Sequence, residues 1–401
     1  MKRFLTSLAV NVCRTVLGLV FTASGLSKAV DPAGMEHKVS AYLDNWGVLT
    51  WTAGTAWLTV AVIALALAEF MLGIALLLGA WRKTVTRLVA LATLAFTALT
   101  VYIYAREPVA DCGCFGEALR LSNGETLAKN VVLCLLCLPP LLRPLAVTPL
   151  ARRGARGLAL LYAAAFLVAV AVRSSVYMPV ADFTSYVPGY NFERAMAGEL
   201  GDKAMEDAFN FAVIDTAGND VTFDLLADTG YTFVAVIPRL ERADRGVSDR
   251  IAQLHRQSLR GGFGFAALTS SATEARRVWA DATGAEYAFC HTDEGVLEAA
   301  ARTSPGLLLL HGGTIVGKWG RIGLAQLLTD ADGNVSPPKL AQPPYNLGQR
   351  LLKIAAWLFI PLIFLIFADK LAAGAVKLRR VSLRRIARSR MAGLGKEEQE
   401  T

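Results

Sequence analysis

Apolar runs of about 20 residues, the length that crosses the hydrocarbon core of a bilayer, recur six times along the chain. They cover residues 11–30, 55–79, 84–104, 127–147, 157–176 and 351–368. Between the fifth and sixth the pattern changes to short apolar stretches of strand length alternating with segments of helical spacing. Strands are predicted at 233–238, 263–268, 287–290, 307–311 and 314–319, and helices at 247–260, 272–282, 294–301 and 322–328. A hairpin over 209–226, turning at Ala217-Gly218-Asn219-Asp220, is predicted to open this region. The stretches 31–44 and 106–129 read as loops, and Pro337-Pro338 with Pro343-Pro344 as a stiff linker. The expected fold class is a membrane α-helical bundle of six spans, with an α/β soluble domain inserted before the last span. The expected boundaries are 1–176 for the bundle, 177–336 for the soluble domain, 337–348 for the linker, 349–370 for the final span and 371–401 for a tail.

Composition supports this division. The chain is 54% hydrophobic and 18% charged, against roughly 25% charged in an ordinary soluble domain. That excludes a disordered chain and a wholly soluble enzyme. The net charge of +8 hides a partition: residues 370–401 carry nine basic and three acidic groups, while residues 177–348 carry 14 basic and 21 acidic. A basic run directly after an apolar span is a topology signal, not a nucleic-acid surface, so the first partner is the lipid bilayer and no nucleic acid is expected. Lys2-Arg3 before an apolar run suggests a signal peptide. Arg14 interrupts that run, no small-residue cleavage site follows, and Cys13 lacks a lipobox, so the segment is read as a retained span. Arg82, Lys83 and Arg87, then Arg143, Arg152, Arg153 and Arg156, fall with the tail on one side of six alternating spans. The positive-inside rule makes that side cytoplasmic. The expected location is therefore a cytoplasmic membrane, with the 31–44 and 106–129 loops and the acidic domain facing outward.

Three strings carry a resemblance. Phe21 to Gly34 reads F-T-A-S-G-L-S-K-A-V-D-P-A-G; span two holds Ala68-Glu69-Phe70-Met71-Leu72-Gly73; and Asp111 to Gly116 reads D-C-G-C-F-G. Over about residues 10 to 147 the chain resembles the DoxX/MauE group of small redox-associated membrane bundles. The resemblance implies thiol chemistry in a bacterial inner membrane, with the soluble domain periplasmic. Proteins of the MauE type are associated with maturation of a disulfide-rich dehydrogenase; no residue here identifies a substrate.

Cys112 and Cys114 flank Gly113 in the second outward loop. A disulfide between residues two apart closes a small, strained ring, and strain raises its reduction potential. The pair therefore reads as a redox pair, with ordinary thiols or structural disulfides as the alternative. Two cysteines supply half a tetrahedral zinc site and the four histidines are scattered, so no metal is expected. No bound cofactor is expected either, and a quinone or other electron acceptor is not identified. Cys134 and Cys137 sit three apart on one face of span four, about two turns inside its outer end. They are either relay thiols for the loop pair or small apolar residues of a packed span. Glu69 is a carboxylate inside an apolar span, so it needs protonation, a partner or a polar interior. Arg14 and Lys28 are its candidate partners.

The element order of residues 182–332 resembles the thioredoxin fold. Ser304-Pro305, ahead of two antiparallel strands, stands at that family's cis-proline and is the expected partner groove. Thioredoxins place C-x-x-C after the first buried strand, and this chain has Arg239-Leu240-Glu241-Arg242 there. A thiolate is the nucleophile of that chemistry, so the domain is expected to bind and not to react. Cys290, the domain's single cysteine, reads as a buried apolar residue. The leading expectation is a membrane thiol–disulfide or electron-transfer component, of the thiol–disulfide oxidoreductase class, acting on a periplasmic protein with thiols or disulfides. The alternative is a non-catalytic membrane assembly or scaffold protein whose loop cysteines are structural.

Overall fold

The computed structural model describes residues 2–45, 56–106, 121–327 and 335–397. The bundle is built from α1 (Lys2–Val30), α2 (Pro32–Asn45), α3 (Ala56–Leu78), α4 (Arg82–Arg106), α5 (Asn123–Leu142) and α6 (Arg153–Val176). All but α2 are long and apolar enough to cross a membrane. Helices α1 and α3 cross at very short range. A Cβ on Gly25 would lie 2.5 Å from the Ala66 carbonyl oxygen, and one on Gly73 would lie 2.5 Å from the Thr22 nitrogen. Small residues at a crossing let two backbones approach in an apolar medium, where packing drives association. Phe70, Leu17 and Ile74 fill the space around that crossing and are buried.

Two expectations for the bundle are corrected. Residues 31–44 form a helix, not a loop: Asp31 stands at the N-cap position, Pro32 at the first helical position, and Asp31 Oδ1 accepts from the Gly34 N–H at 3.1 Å. Proline is pre-set for that position and aspartate satisfies an otherwise unpaired amide. The fourth span ends at Leu142 and not near 147, because Arg143 precedes Pro144 and the residue before a proline disfavours helix. Its start is fixed by a capping box between Ser122 and Glu125.

The soluble domain contains α7 (Phe192–Met196), α8 (Asp202–Asn210), α9 (Thr222–Ala227), β1 (Tyr231–Val236), α10 (Ser248–Gly261), β2 (Gly264–Thr269), α11 (Thr273–Thr283), β3 (Phe289–His291), α12 (Glu294–Ala300), β4 (Gly306–His311), β5 (Thr314–Trp319), α13 (Arg321–Ala325) and α14 (Pro337–Leu340). The sheet order is β3-β2-β1-β4-β5. Strands β1, β2 and β3 are parallel, whereas β4 pairs antiparallel with both β1 and β5. Central β1 places Val234 between Ala266 and Leu308. Both faces of the sheet are covered, so β1 and β4 are near-continuous apolar runs without alternation. Val234, Val236 and Leu308 point to a core with Tyr186, Phe192 and Phe211. Phe233, Ala235 and Leu309 point to the opposite core with Ile251 and Trp279. This is a thioredoxin-like arrangement, and the Ser304–Pro305 peptide ahead of β4 is cis.

The predicted 209–226 hairpin reduces to one bridge, Ile214 with Asp220, because 222–227 is helical. Its Thr-Phe-Asp-Leu-Leu-Ala sequence carries leucine and alanine, which suit a helix, beside a threonine that suits a strand. Leu340 is buried in the domain core and Pro337 is also buried, so the first half of the expected linker belongs to the domain. After it comes α15 (Leu347–Glu397), 51 residues in one helix that carries the last span through into the tail.

Candidate functional site

The soluble domain meets the bundle at α2. After β1 the chain passes Pro238 and makes a 3-10 turn, Leu240–Arg242, at the position thioredoxins give to two cysteines. Leu240 is buried there and its N–H donates to Ser271 Oγ at 3.0 Å, which in turn donates to Glu241 at 2.8 Å. Arg239 pairs with Glu294 of α12. The turn is thus a hydrogen-bonded plug with no nucleophile.

Beside the plug lies a cleft of about 330 Å³. Its upper side is Arg242, Asp244, Thr303, Ser304 and Arg321; its lower side is Pro32, Ala33 and Glu36 of α2, with Thr59 and Ser175. The buried Ser304 hydroxyl has no hydrogen-bond partner among the described residues. Asp244 accepts from the Gly246 N–H at 2.8 Å and from Arg321 at 2.5 Å, which hold its carboxyl below the usual range. Across the cleft Thr59 donates to Glu36 at 2.7 Å. Pro305 itself is buried beneath Ser304.

Asp31 and Arg302 fasten the two parts together. The Arg302 guanidinium lies 3.0 Å from Asp31 Oδ2, and the side chains are 6% and 1% exposed. A Cβ on Gly34 would meet both partners within 2.9 Å, so glycine is what lets the pair form. Behind it, Lys318 of β5 donates to Asp182 at 2.7 Å. Burial by itself would raise the Asp182 carboxyl, but Lys318 and Arg302 outweigh it and keep the group ionised. On the exposed flank His37 of α2 pairs with Glu298 of α12.

One turn below Asp31 on α1, Lys28 reaches Glu69 of α3 at 2.9 Å, with both side chains nearly fully buried. Ser24 completes the triad, donating to Glu69 at 2.7 Å and accepting from Lys28 at 2.7 Å. Of the two candidate partners, Glu69 therefore takes Lys28; Arg14 donates to the Leu76 carbonyl at 3.3 Å instead. The S-G-x-x-K-x-x-D-P string now has a physical reading. Gly25 permits the helix crossing, Lys28 ties α1 to α3, and Asp31-Pro32 caps α2 and docks the soluble domain.

Cys112 and Cys114 lie outside the described residues, but both flanks of their loop are described. Ile103, near the end of α4, packs on Tyr42 of α2. Asn130 of α5 donates to Thr100 of α4 at 2.7 Å. Both flanks therefore belong to the end of the bundle that carries α2 and the soluble domain. Cys134 lies 11 residues beyond Asn123, about 16 Å along the helix at 1.5 Å per residue. That is deeper than the two turns expected. Cys134 Sγ sits 3.3 Å from Thr97 Oγ1, and Cys137 donates to Thr93 Oγ1 at 3.6 Å. Both are free thiols set against α4. Cys290 is also free, and burial pushes its thiol pKa up.

The bundle's motif residues and helix order now stand beside a family match. Residues 6–143 match the family described as methylamine utilisation protein MauE. The match covers the MauE-like bundle from α1 to α5 and leaves α6, the soluble domain and α15 outside it. Among solved structures, the chain is similar to the thioredoxin domain of a thiol-disulfide oxidoreductase from Bacteroides vulgatus, at 17% identity over 27% of this chain and 81% of that one, with a TM-score of 0.23. A cysteine variant of peroxiredoxin Q from Xanthomonas campestris is similar at 15% identity, over 30% and 90% of the two chains, TM-score 0.23. A secreted disulfide oxidoreductase of Mycobacterium tuberculosis is similar at 10% identity, over 37% and 98%, TM-score 0.23. No curated protein matches the chain.

The sequence missed Asp31–Arg302, Asp182–Lys318 and His37–Glu298. The available signals were Asp31-Pro32 as a helix start and a lysine at a buried position of the last strand.

Proposed function

We propose that the chain is a membrane thiol–disulfide or electron-transfer component. Cys112 and Cys114 exchange electrons with a partner protein, and the thioredoxin-like domain holds that partner without reacting. The supporting observation is the buried Asp31–Arg302 pair, which sets the thiol-free plug and the Ser304 cleft against the bundle end that bears both flanks of the cysteine loop. In its oxidised form the pair takes two electrons and two protons from a partner dithiol; in its reduced form it returns them to a partner disulfide. The partner segment lies along the cleft, held by backbone pairing and by the Ser304 hydroxyl, with tethering raising the local concentration. Ser304 is the binding residue in this reading, and Pro305, next in sequence, is buried behind the cleft lining. Cys134 and Cys137 are packing residues, and Lys28 with Glu69 is a structural tie.

The same reading puts the domain on the periplasmic side of a bacterial inner membrane and the C-terminus in the cytoplasm. It is supported by the basic groups at 82–87, 143–156 and 370–401, which share one side. Impermeant thiol reagents should label a single cysteine at Asp228 and leave one at Gly154 unlabelled; the reverse would overturn the orientation. For the chemistry, Cys114→Ala in cells should trap a mixed disulfide on Cys112, lost on adding Arg302→Ala. Absence of any trapped species, with Cys112 and Cys114 fully bonded in the parent protein, would favour the scaffold reading.

A further inference from the structure

A second and larger cavity, of about 900 Å³, lies where α6, α15 and the soluble domain converge. Its floor is apolar: Phe166 and Val170 of α6 with Ile354 and Trp357 of α15, all within helices able to span a membrane. Its roof is the Met178–Val180 stretch and the Pro343-Pro344 strap. At the boundary stand three cations, Arg173 in the last turn of α6 and Arg350 and Lys353 at the start of α15. Among the described residues none of the three has an ion-pair partner. Arg173 lies over the Tyr177 ring at 4.2 Å and Arg350 over the Tyr345 ring at 4.8 Å. Asp182, the carboxylate in this lining, is already taken by Lys318 at 2.7 Å.

The arrangement is unexpected at this end of the bundle. The basic loops that follow the charge bias of membrane proteins, around Arg82 and Arg152, lie at the other end. All three cationic side chains are exposed and border the same cavity, so an anion seated among them is attracted by each. Guanidinium groups match phosphate oxygens in fork geometry, and basic pockets between spanning helices are suited to phosphorylated headgroups. A cavity of this size is within the range of specific ligand pockets. Free phosphate would satisfy the rim and leave the apolar floor wet, at a cost proportional to its area.

We infer that this cavity is a binding site for one anionic phospholipid. Its phosphate sits among Arg173, Arg350 and Lys353, and its acyl chains descend along Phe166, Val170, Ile354 and Trp357. Lodged beneath the Pro343-Pro344 strap, the lipid ties the soluble domain to α6 and α15 in addition to the Asp31–Arg302 pair.

The test uses the full chain, delipidated in detergent and supplied with phosphatidylglycerol, phosphatidylcholine of the same chains, or inorganic phosphate. Native mass spectrometry counts bound lipid and thermal melting reads its effect. One phosphatidylglycerol per chain should be retained, with a preference over phosphatidylcholine of about tenfold, the size of one good charge-assisted contact, and a raised Tm. R173Q/R350Q/K353Q should abolish the preference while keeping the lipid-free Tm. Lys353→Gln alone, at an exposed side chain, should reduce it about threefold and covers the case in which the triple variant misfolds. Equal retention of the two lipids, a preference that survives these substitutions, or the same Tm shift from inorganic phosphate would each overturn the inference.

Discussion

Two buried ion pairs, one from the last turn of α1 and one from the N-cap of α2, do different work. Lys28–Glu69 joins two helices inside the bundle, with Ser24 completing the triad. Asp31–Arg302 joins the bundle to a separately cored domain, with Asp31 also capping α2. Breaking the first should damage the fold of the bundle; breaking the second should release a domain that remains folded. An ionisable residue near the membrane can thus serve either assembly or docking, and its partner decides which.

The largest effect expected is at the inner pair. Glu69→Leu strands a buried ammonium, and removing one partner of a buried pair costs about 3–5 kcal/mol. The double variant Lys28→Met/Glu69→Leu should recover most of that, because apolar replacements of similar size are often neutral or better. Thermal melts of the three proteins in one detergent check both statements; a double variant no better than the single would mean the charge itself is needed.

Next comes the outer pair. Arg302→Ala should leave the bundle's melting transition in place and expose the 341–346 connection to protease. It should also abolish partner trapping without altering the loop pair's potential. Limited proteolysis of the membrane-embedded protein reads the release, and a bundle that melts early would contradict the division of labour between the two pairs.

A smaller effect belongs to His37. Its hydrogen bond to Glu298 raises the imidazole pKa above the ordinary value near 6.5. The pair therefore contributes to docking fully below that ordinary value, and the contribution is lost as pH rises through the raised value. Because the His37 side chain is 46% exposed, solvent screening keeps the gain under about 1 kcal/mol. Proteolytic release of the domain should be slightly faster at pH 9 than at pH 6, and His37→Gln should remove that dependence. Smallest of all is Cys290→Ser, predicted to be neutral in partner trapping; an effect equal to Cys112→Ser would make Cys290 a member of the relay.

The spans were legible because 20 apolar residues admit few other readings, and the sheet because β1 and β4 are near-continuous apolar runs between glycine and proline breaks. Helix α2 was not legible: Glu36-His37-Lys38 is polar, and its helical signal lies in the Asp31-Pro32 start. The plug at Leu240–Arg242 was readable as a missing C-x-x-C. Its burial under Ser271 was not, since that contact spans 31 residues. The docking pair joins positions 31 and 302, and no local pattern reports a contact at that separation. Residue type alone left Glu69 with two candidate partners, and helix packing chose Lys28.

With the chemistry in the bundle loop and the docking in the soluble domain, the two separate experimentally. The most direct measurement is a redox titration of Cys112 and Cys114 in membranes, read by mass-tagging of free thiols, in the parent protein and in Arg302→Ala. The potential should lie above about −300 mV, the range of exchangeable disulfides, and stay unchanged on substitution. A potential well below that value would make the bond structural and rule out exchange at the loop.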